Sequence, residues 1–158
     1  MKRLLIAPLL LAISSPALSD YFSNKFDPMT DRRKIGAGIV SNETNDAQLL
    51  VSCDGGNVKA IIGTDDILRD FGSVLVRWDQ NPAQTYYWNS SGSGRAFILG
   101  FNGFTGRKQA NRYVKKFREH SSMLLRYSTY LSQQKTVSFD LKKFHPLLDR
   151  AESEGCAF

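Results

Sequence analysis

Apolar and polar residues alternate with a period of two along much of this chain, the pattern of strands with one buried face. The clearest stretch is residues 74–88, VLVRWDQNPAQTYYW: Val74, Val76 and Trp78 share one side, Leu75, Arg77 and Asp79 the other, and Tyr86 and Trp88 share a face on the return run. Asp79-Gln80-Asn81-Pro82-Ala83 between them carries residues that reverse a chain, so a hairpin is expected here, at the centre of the domain. Arg77 and Asp79, opposite the apolar side, are expected to form an exposed same-face ion pair.

The same reading predicts further strands. Tyr21, Phe22 and Phe26 in the lead-in 20–34 suit a first edge strand, and residues 35–41 a second, with Gly36 and Gly38 marking a bulge or a close approach. Residues 48–53 and 58–63 form a hairpin around Asp54-Gly55-Gly56-Asn57, whose glycines accept positive φ. Residues 122–131 and 136–141 form another. A polar loop at 89–95 leads into the apolar run 96–101, and residues 64–72 are expected to make a single helical turn whose acids, Asp65, Asp66 and Asp70, sit at its start rather than hold a metal.

Two segments switch to a helical period. In residues 106–119, Ala110, Tyr113, Val114 and Phe117 make an apolar stripe surrounded by Arg107, Lys108, Arg112, Lys115, Lys116 and Arg118. In the tail, Phe144, Leu147, Leu148 and Ala151 recur at helical spacing, with Pro146 expected at the start of the helix and Gly155 as its C-cap. The fold expected is α+β and mainly β: an antiparallel sheet or β-sandwich with one middle basic helix and a short C-terminal helix.

Residues 1–19 change the setting. Lys2 and Arg3, an apolar run at 4–13 and a small-x-small end at Ala17-Leu18-Ser19 read as a signal peptide, which leaves residues 20–158 as one exported domain, periplasmic or secreted. The apolar run is shorter than the roughly 20 residues a spanning helix needs. Removing Lys2 and Arg3 lowers the formal charge from +6 to +4, and export makes nucleic acid an unsuitable partner. Cys53 and Cys156 are the two cysteines of the chain, and an oxidising compartment predicts that they pair, closing a loop of about 100 residues.

Catalytic chemistry is not evident, and the expectation is a protein that is not an enzyme and takes no cofactor or metal. His120 and His145 lack metal-ligand spacing, no serine sits in a nucleophile elbow, and the glycines at 92 and 94 are not followed by the Lys and Ser or Thr of a phosphate loop. Arg107, Lys108, Arg112, Lys115, Lys116 and Arg118 are therefore the candidate binding residues, either for a protein partner in the cell envelope or, alternatively, for an anionic membrane or envelope surface.

The order of features resembles a known family. A D-P-M-T-D lead-in, a strand ending in Cys53, the V-R-W-D turn with Pro82 and then Trp88, the strand containing Phe139-Asp140-Leu141 and a terminal helix ending at Cys156 are similar to the VasI/TagO-like periplasmic proteins associated with type VI secretion. The resemblance implies a mainly antiparallel exported fold with an accessory or binding role and no catalytic activity; the basic helix 107–118 departs from the family pattern.

Overall fold

The computed structural model describes residues 20–43, 46–68, 73–99 and 106–158; the expected leader lies outside them. Ten strands and two helices follow in the order β1 (Tyr21–Asp27), β2 (Arg32–Val40), β3 (Ala47–Asp54), β4 (Asn57–Thr64), β5 (Ser73–Trp78), β6 (Gln84–Tyr87), β7 (Asn89–Ser90), β8 (Ala96–Leu99), α1 (Gly106–Glu119), β9 (Ser122–Ser128), β10 (Gln134–Asp140) and α2 (Leu141–Ser153). They form two antiparallel sheets, one of six strands in the order β1-β2-β3-β4-β8-β7 and one of four in the order β10-β9-β5-β6. The fold is α+β and mainly β, as the periodicity predicts.

Strand β3 shows how the pattern builds the core. Ala47, Leu49, Val51 and Cys53 are buried, whereas the alternate residues Gln48, Leu50, Ser52 and Asp54 turn to the opposite face. On β4, Val58, Ala60 and Ile62 continue the buried face. The β3–β4 reversal puts Gly55 at φ 55° and Gly56 at φ 88°, a pair of left-handed conformations that glycine adopts without a Cβ clash. Gly38 has a different reason: a Cβ there would lie 2.6 Å from the Tyr21 ring, so the close approach, not a bulge, explains the residue.

The two helices cover part of the buried face of the six-stranded sheet. Helix α1 lies against β4 and β8 through Ala110, Val114 and Phe117, and α2 lies against β2 with Leu141, Phe144, Leu148 and Ala151 buried. The four-stranded sheet closes the remainder, with ring contacts Phe97–Tyr127 at 5.7 Å and Trp78–Phe117 at 6.0 Å between its strands and the rest of the core.

Several expectations need correction. The β5–β6 hairpin forms with Val74, Val76 and Trp78 buried, but it lies at one edge of the smaller sheet, and Trp88 falls beyond β6 where the chain crosses to the larger sheet. Residues 64–68 make no helical turn: Leu68 bridges to Thr129, while the Asp66 carboxylate accepts from the Tyr127 hydroxyl at 3.1 Å and from Lys135 at 2.8 Å. Tertiary pairing overrides the local helix signal there, and Asp70 lies outside the described residues. Strand β9 ends at Ser128, and a turn with Ser132 at φ 62° follows. Helix α2 begins earlier than the position of Pro146 suggests, because Asp140 caps it by accepting from the Lys142 N–H at 3.1 Å; Pro146 therefore lies inside the helix.

The C-terminal end is as expected. Gly155, at φ 105°, donates to Glu152, and Cys156 donates to Ala151 at 2.9 Å, the paired bonds of a Schellman ending. That ending delivers Cys156 to Cys53 on the inner strand, and the two form a disulfide with Cα atoms 5.7 Å apart across a separation of 103 residues. No helix among the described residues is long and apolar enough to cross a membrane. Denatured, unreduced protein is expected to contain no titratable thiol, and replacing both cysteines by alanine should lower the unfolding free energy by about 4 kcal/mol, read from urea midpoints. Two reactive thiols, or an unchanged midpoint, would count against this role for the bridge.

Candidate functional site

Helix α1 is bordered by two hollows, and their geometry divides the six basic residues into separate groups. The larger, of about 780 Å³, runs between α1 and the chain terminus and is lined by Arg107, Lys108, Asn111, Arg112, Val114, Lys115 and Arg118 on the helix and by Glu152 and Phe158 opposite. The smaller, of about 270 Å³, lies on the other flank beside Gln109, Arg112, Tyr113 and Lys116. Arg112 borders both. The apolar stripe of the helix is used up by the core, so what it offers outward is charge.

Three of the six have partners on the protein, two firmly and one weakly. Arg118 bridges to Asp149 at 3.0 Å and Glu152 at 2.8 Å, tying α1 to α2, and its guanidinium lies 5.9 Å from the Phe158 ring centroid. Lys116 sits 5.3 Å from the Trp78 ring centroid and 5.5 Å from that of Tyr86, and donates to the Tyr86 hydroxyl at 3.1 Å. It is an aromatic-caged cation rather than a surface charge. Lys115 pairs with Glu119 at 3.6 Å, an exposed contact one helical turn along that holds it only weakly.

The remaining three lie toward the start of the helix. Arg107 makes one long hydrogen bond, 3.4 Å, to the Ala157 carbonyl, and among the described residues neither it nor Lys108 nor Arg112 has a carboxylate partner. Helix α1 has no acidic residue in its first turn, and residues 100–105 before it contain none in the sequence. Two cations therefore occupy the end of the helix where the backbone dipole favours an anion. Among the described residues no carboxylate pairs with the cations at that end.

The aromatic side of α1 leads to a hydrogen-bonded network that the sequence does not announce. The Trp88 indole donates to the Tyr113 hydroxyl at 2.7 Å, and burial raises the Tyr113 pKa. The Trp78 indole donates to the Tyr86 hydroxyl at 3.2 Å, which in turn donates to Gln84 at 2.9 Å. His120 stacks on Trp78 at 5.3 Å, and its Nδ1–H donates to Asp79 at 2.9 Å. The ion pair expected between Arg77 and Asp79 does not form; the Asp79 carboxylate instead accepts from His120 and from the backbone N–H groups of Ser121 and Ser122, both at 2.8 Å. Asp79 sits at φ 50°, which turns its side chain away from the strand and toward the α1–β9 corner.

This Asp–His pair is a joint between elements. His145 completes it from α2, donating from Nε2 to the Phe117 and His120 carbonyls at 2.9 and 3.2 Å and so satisfying acceptors at the end of α1. Both cysteines lie in the disulfide, and among the described residues no Ser, Thr or Cys is seen bonded to the other ring nitrogen of His120. No group of three or more His, Cys, Asp or Glu among the described residues is placed to hold a metal.

The His120 hydrogen bond holds the Asp79 carboxyl below its usual range; burial opposes it, and the backbone N–H groups of Ser122 and Ser121 each add a lesser lowering effect. A carboxyl with a depressed folded-state pKa stabilises the fold above its unfolded value, about 3.9, and that contribution is lost as pH falls through the folded value. Asp79→Asn keeps a side chain that tolerates positive φ but removes the charge; it should lower stability by about 1 kcal/mol at pH 7. The gap to the parent protein should narrow at about pH 3, where urea midpoints are compared, and a gap of equal size at both pH values would refute the role of the charge.

No family model matches the chain, and no match is found to a curated protein or to a solved structure.

Proposed function

We propose that this is a non-catalytic accessory protein of the cell envelope that binds an acidic protein partner through the groove beside α1. The observation that carries the reading is the placement of Arg107, Lys108 and Arg112, three exposed cations without a carboxylate partner among the described residues, around a groove at the helix end that favours anions. Phe158 adds apolar surface at the edge of the same groove, which suits an acidic partner segment that also carries an apolar side chain. The disulfide and the leader-like first 19 residues support an oxidising compartment outside the cytoplasm. The resemblance to type VI secretion-associated periplasmic proteins supports an accessory role in such a system.

An anionic membrane is the less favoured occupant on structural grounds. A helix that lies in a bilayer interface places its apolar face among the acyl chains, and here Ala110, Val114 and Phe117 are buried in the core. Charge alone would have to hold the protein to lipid.

The test uses the triple variant R107Q/K108Q/R112Q. An acidic peptide containing Glu and Phe should bind the parent protein more weakly as salt rises, and the variant should bind about tenfold more weakly or worse at low salt. Because the three side chains are exposed, the urea midpoint should move little. Equal peptide binding by the variant would overturn the reading. Binding of phosphatidylglycerol vesicles with no binding of the peptide would transfer the site to a membrane surface.

A further inference from the structure

The outer face of the six-stranded sheet, opposite the helices, carries a second polar hollow of about 320 Å³. At its floor is Gly36. Cross-strand register places Ser23 of β1 on one side of Gly36 and Ser52 of β3 on the other, with Lys59 of β4 beyond Ser52. These residues have the parity of the outer face, alternating with the buried Ile35, Val51, Cys53 and Val58. The Tyr21 ring lies along the same face from Gly38 to Gly36, so that its hydroxyl oxygen is 3.8 Å from where a Cβ at position 36 would sit, and Ser23 Oγ is 2.9 Å from that point.

Three hydroxyls, from Tyr21, Ser23 and Ser52, thus line the hollow, with the Tyr21 ring and the Ser23 hydroxyl lying over the buried Gly36. Among the described residues none of the three makes a side-chain hydrogen bond within the protein. The neighbouring row of the sheet places Lys25 directly opposite Lys34, and Lys34 opposite Asp54. Like charges in directly opposed positions destabilise a strand pair. Lys34 has two long contacts, 3.8 Å to Asp27 and 3.9 Å to Asp54, whereas Lys25 and Lys59 have no ion-pair partner among the described residues. One oxygen of Asp54 is buried without a hydrogen-bond donor.

We infer that this hollow is a binding site for a small acidic saccharide, a sugar ring carrying a carboxylate or a phosphate. The lysines supply the charge that recognises the acid. The convergent hydroxyls supply donors and acceptors for ring hydroxyls, and the edge of the Tyr21 ring gives an apolar surface beside them. A cation-only patch would select any anion, whereas the cluster of hydroxyls around Gly36 selects one that carries hydroxyl groups of its own. The site is on the sheet face turned away from α1, and it does not depend on the groove there.

The experiment follows amide chemical shifts of the disulfide-bonded protein during titration with a galacturonic acid disaccharide and, separately, with glucose 6-phosphate. At least one should shift the Ser23, Gly36 and Ser52 amides saturably, and which one does so identifies the acid. Inorganic phosphate and a neutral galactose disaccharide should bind about tenfold more weakly or not at all, since each lacks one half of the recognition. K25Q/K59Q should weaken binding of the acidic sugar about tenfold, and Ser52→Ala, an exchange at a half-buried position that leaves the strand intact, should weaken it by a smaller factor. The R107Q/K108Q/R112Q variant should bind the sugar as the parent does. Phosphate binding as tight as that of the acidic sugar, shifts confined to α1, or no saturable shift with either acidic sugar would overturn the inference.

Discussion

The covalent tie between β3 and the end of α2 organises the groove beside α1 as well as the fold. Cys53 is the last buried residue of the strand that forms the middle of the core, and Cys156 follows directly on the Schellman ending of α2. With the two joined, α2 has little choice of where to lie, and residues 157 and 158 are brought beside α1. The Ala157 carbonyl meets Arg107 there and Phe158 forms part of the groove wall. A chain of this size buries a modest core, so a long-range cross-link contributes a large share of its stability. The same bond also decides that the groove has two sides.

Helix α1 shows how a basic surface can be divided between cations engaged by the protein and cations left exposed. Lys116 and Arg118 lie toward the end of the helix where cations are favoured by the dipole, and both are engaged, one with aromatic rings and one with carboxylates of α2. Arg107 and Lys108 lie at the opposite end, where the dipole opposes them and the first helical turn carries no acidic side chain to offset it. Structural roles therefore gather where positive charge is stable without help, and the cations left over gather where an external anion would relieve the most. Joints elsewhere follow the same economy of partners: a single carboxylate, Asp79, holds the β5–β6 turn to the α1–β9 corner through three donors.

Much of the fold was legible because burial on one face imposes a period that the residues must carry. The alternation through 47–54 and 57–64, the glycine pair between them, the helical stripe of 106–119 and the paired cysteines each had one economical reading, and the structure has each of them. What could not be read were features set by partners distant in sequence. Asp79 near Arg77 suggested a local ion pair, but two backbone N–H groups and a histidine about 40 residues away compete better for the carboxylate. Thr64 and the acids after it suggested a helix start, but Asp66 is drawn to Tyr127 and Lys135 on the other sheet. Pro146 misplaced the start of α2 because the decisive cap, Asp140, was absorbed into the preceding strand pattern. The six basic residues were visible as a set; their division into engaged and unengaged members needed the positions of Trp78, Tyr86, Asp149 and Glu152.

The outer sheet face makes the same point from the opposite direction. In sequence, Ser23, Gly36, Ser52 and Lys59 are scattered over four segments with nothing to connect them, and only antiparallel register sets them in one row. The outward row here carries a glycine beneath an aromatic ring and between two serines, and a Cβ at position 36 would require the Ser23 hydroxyl to turn aside. The close approach of Tyr21 explains Gly38, where a Cβ would meet the ring at 2.6 Å, but position 36 has 3.6 Å to the same ring and is crowded chiefly by the small, rotatable Ser23 hydroxyl. Steric necessity is thus weaker at Gly36 than at Gly38. Gly36 itself is buried beneath the Tyr21 ring and the Ser23 hydroxyl, so what the sheet turns outward at that point is hydroxyl rather than bare backbone.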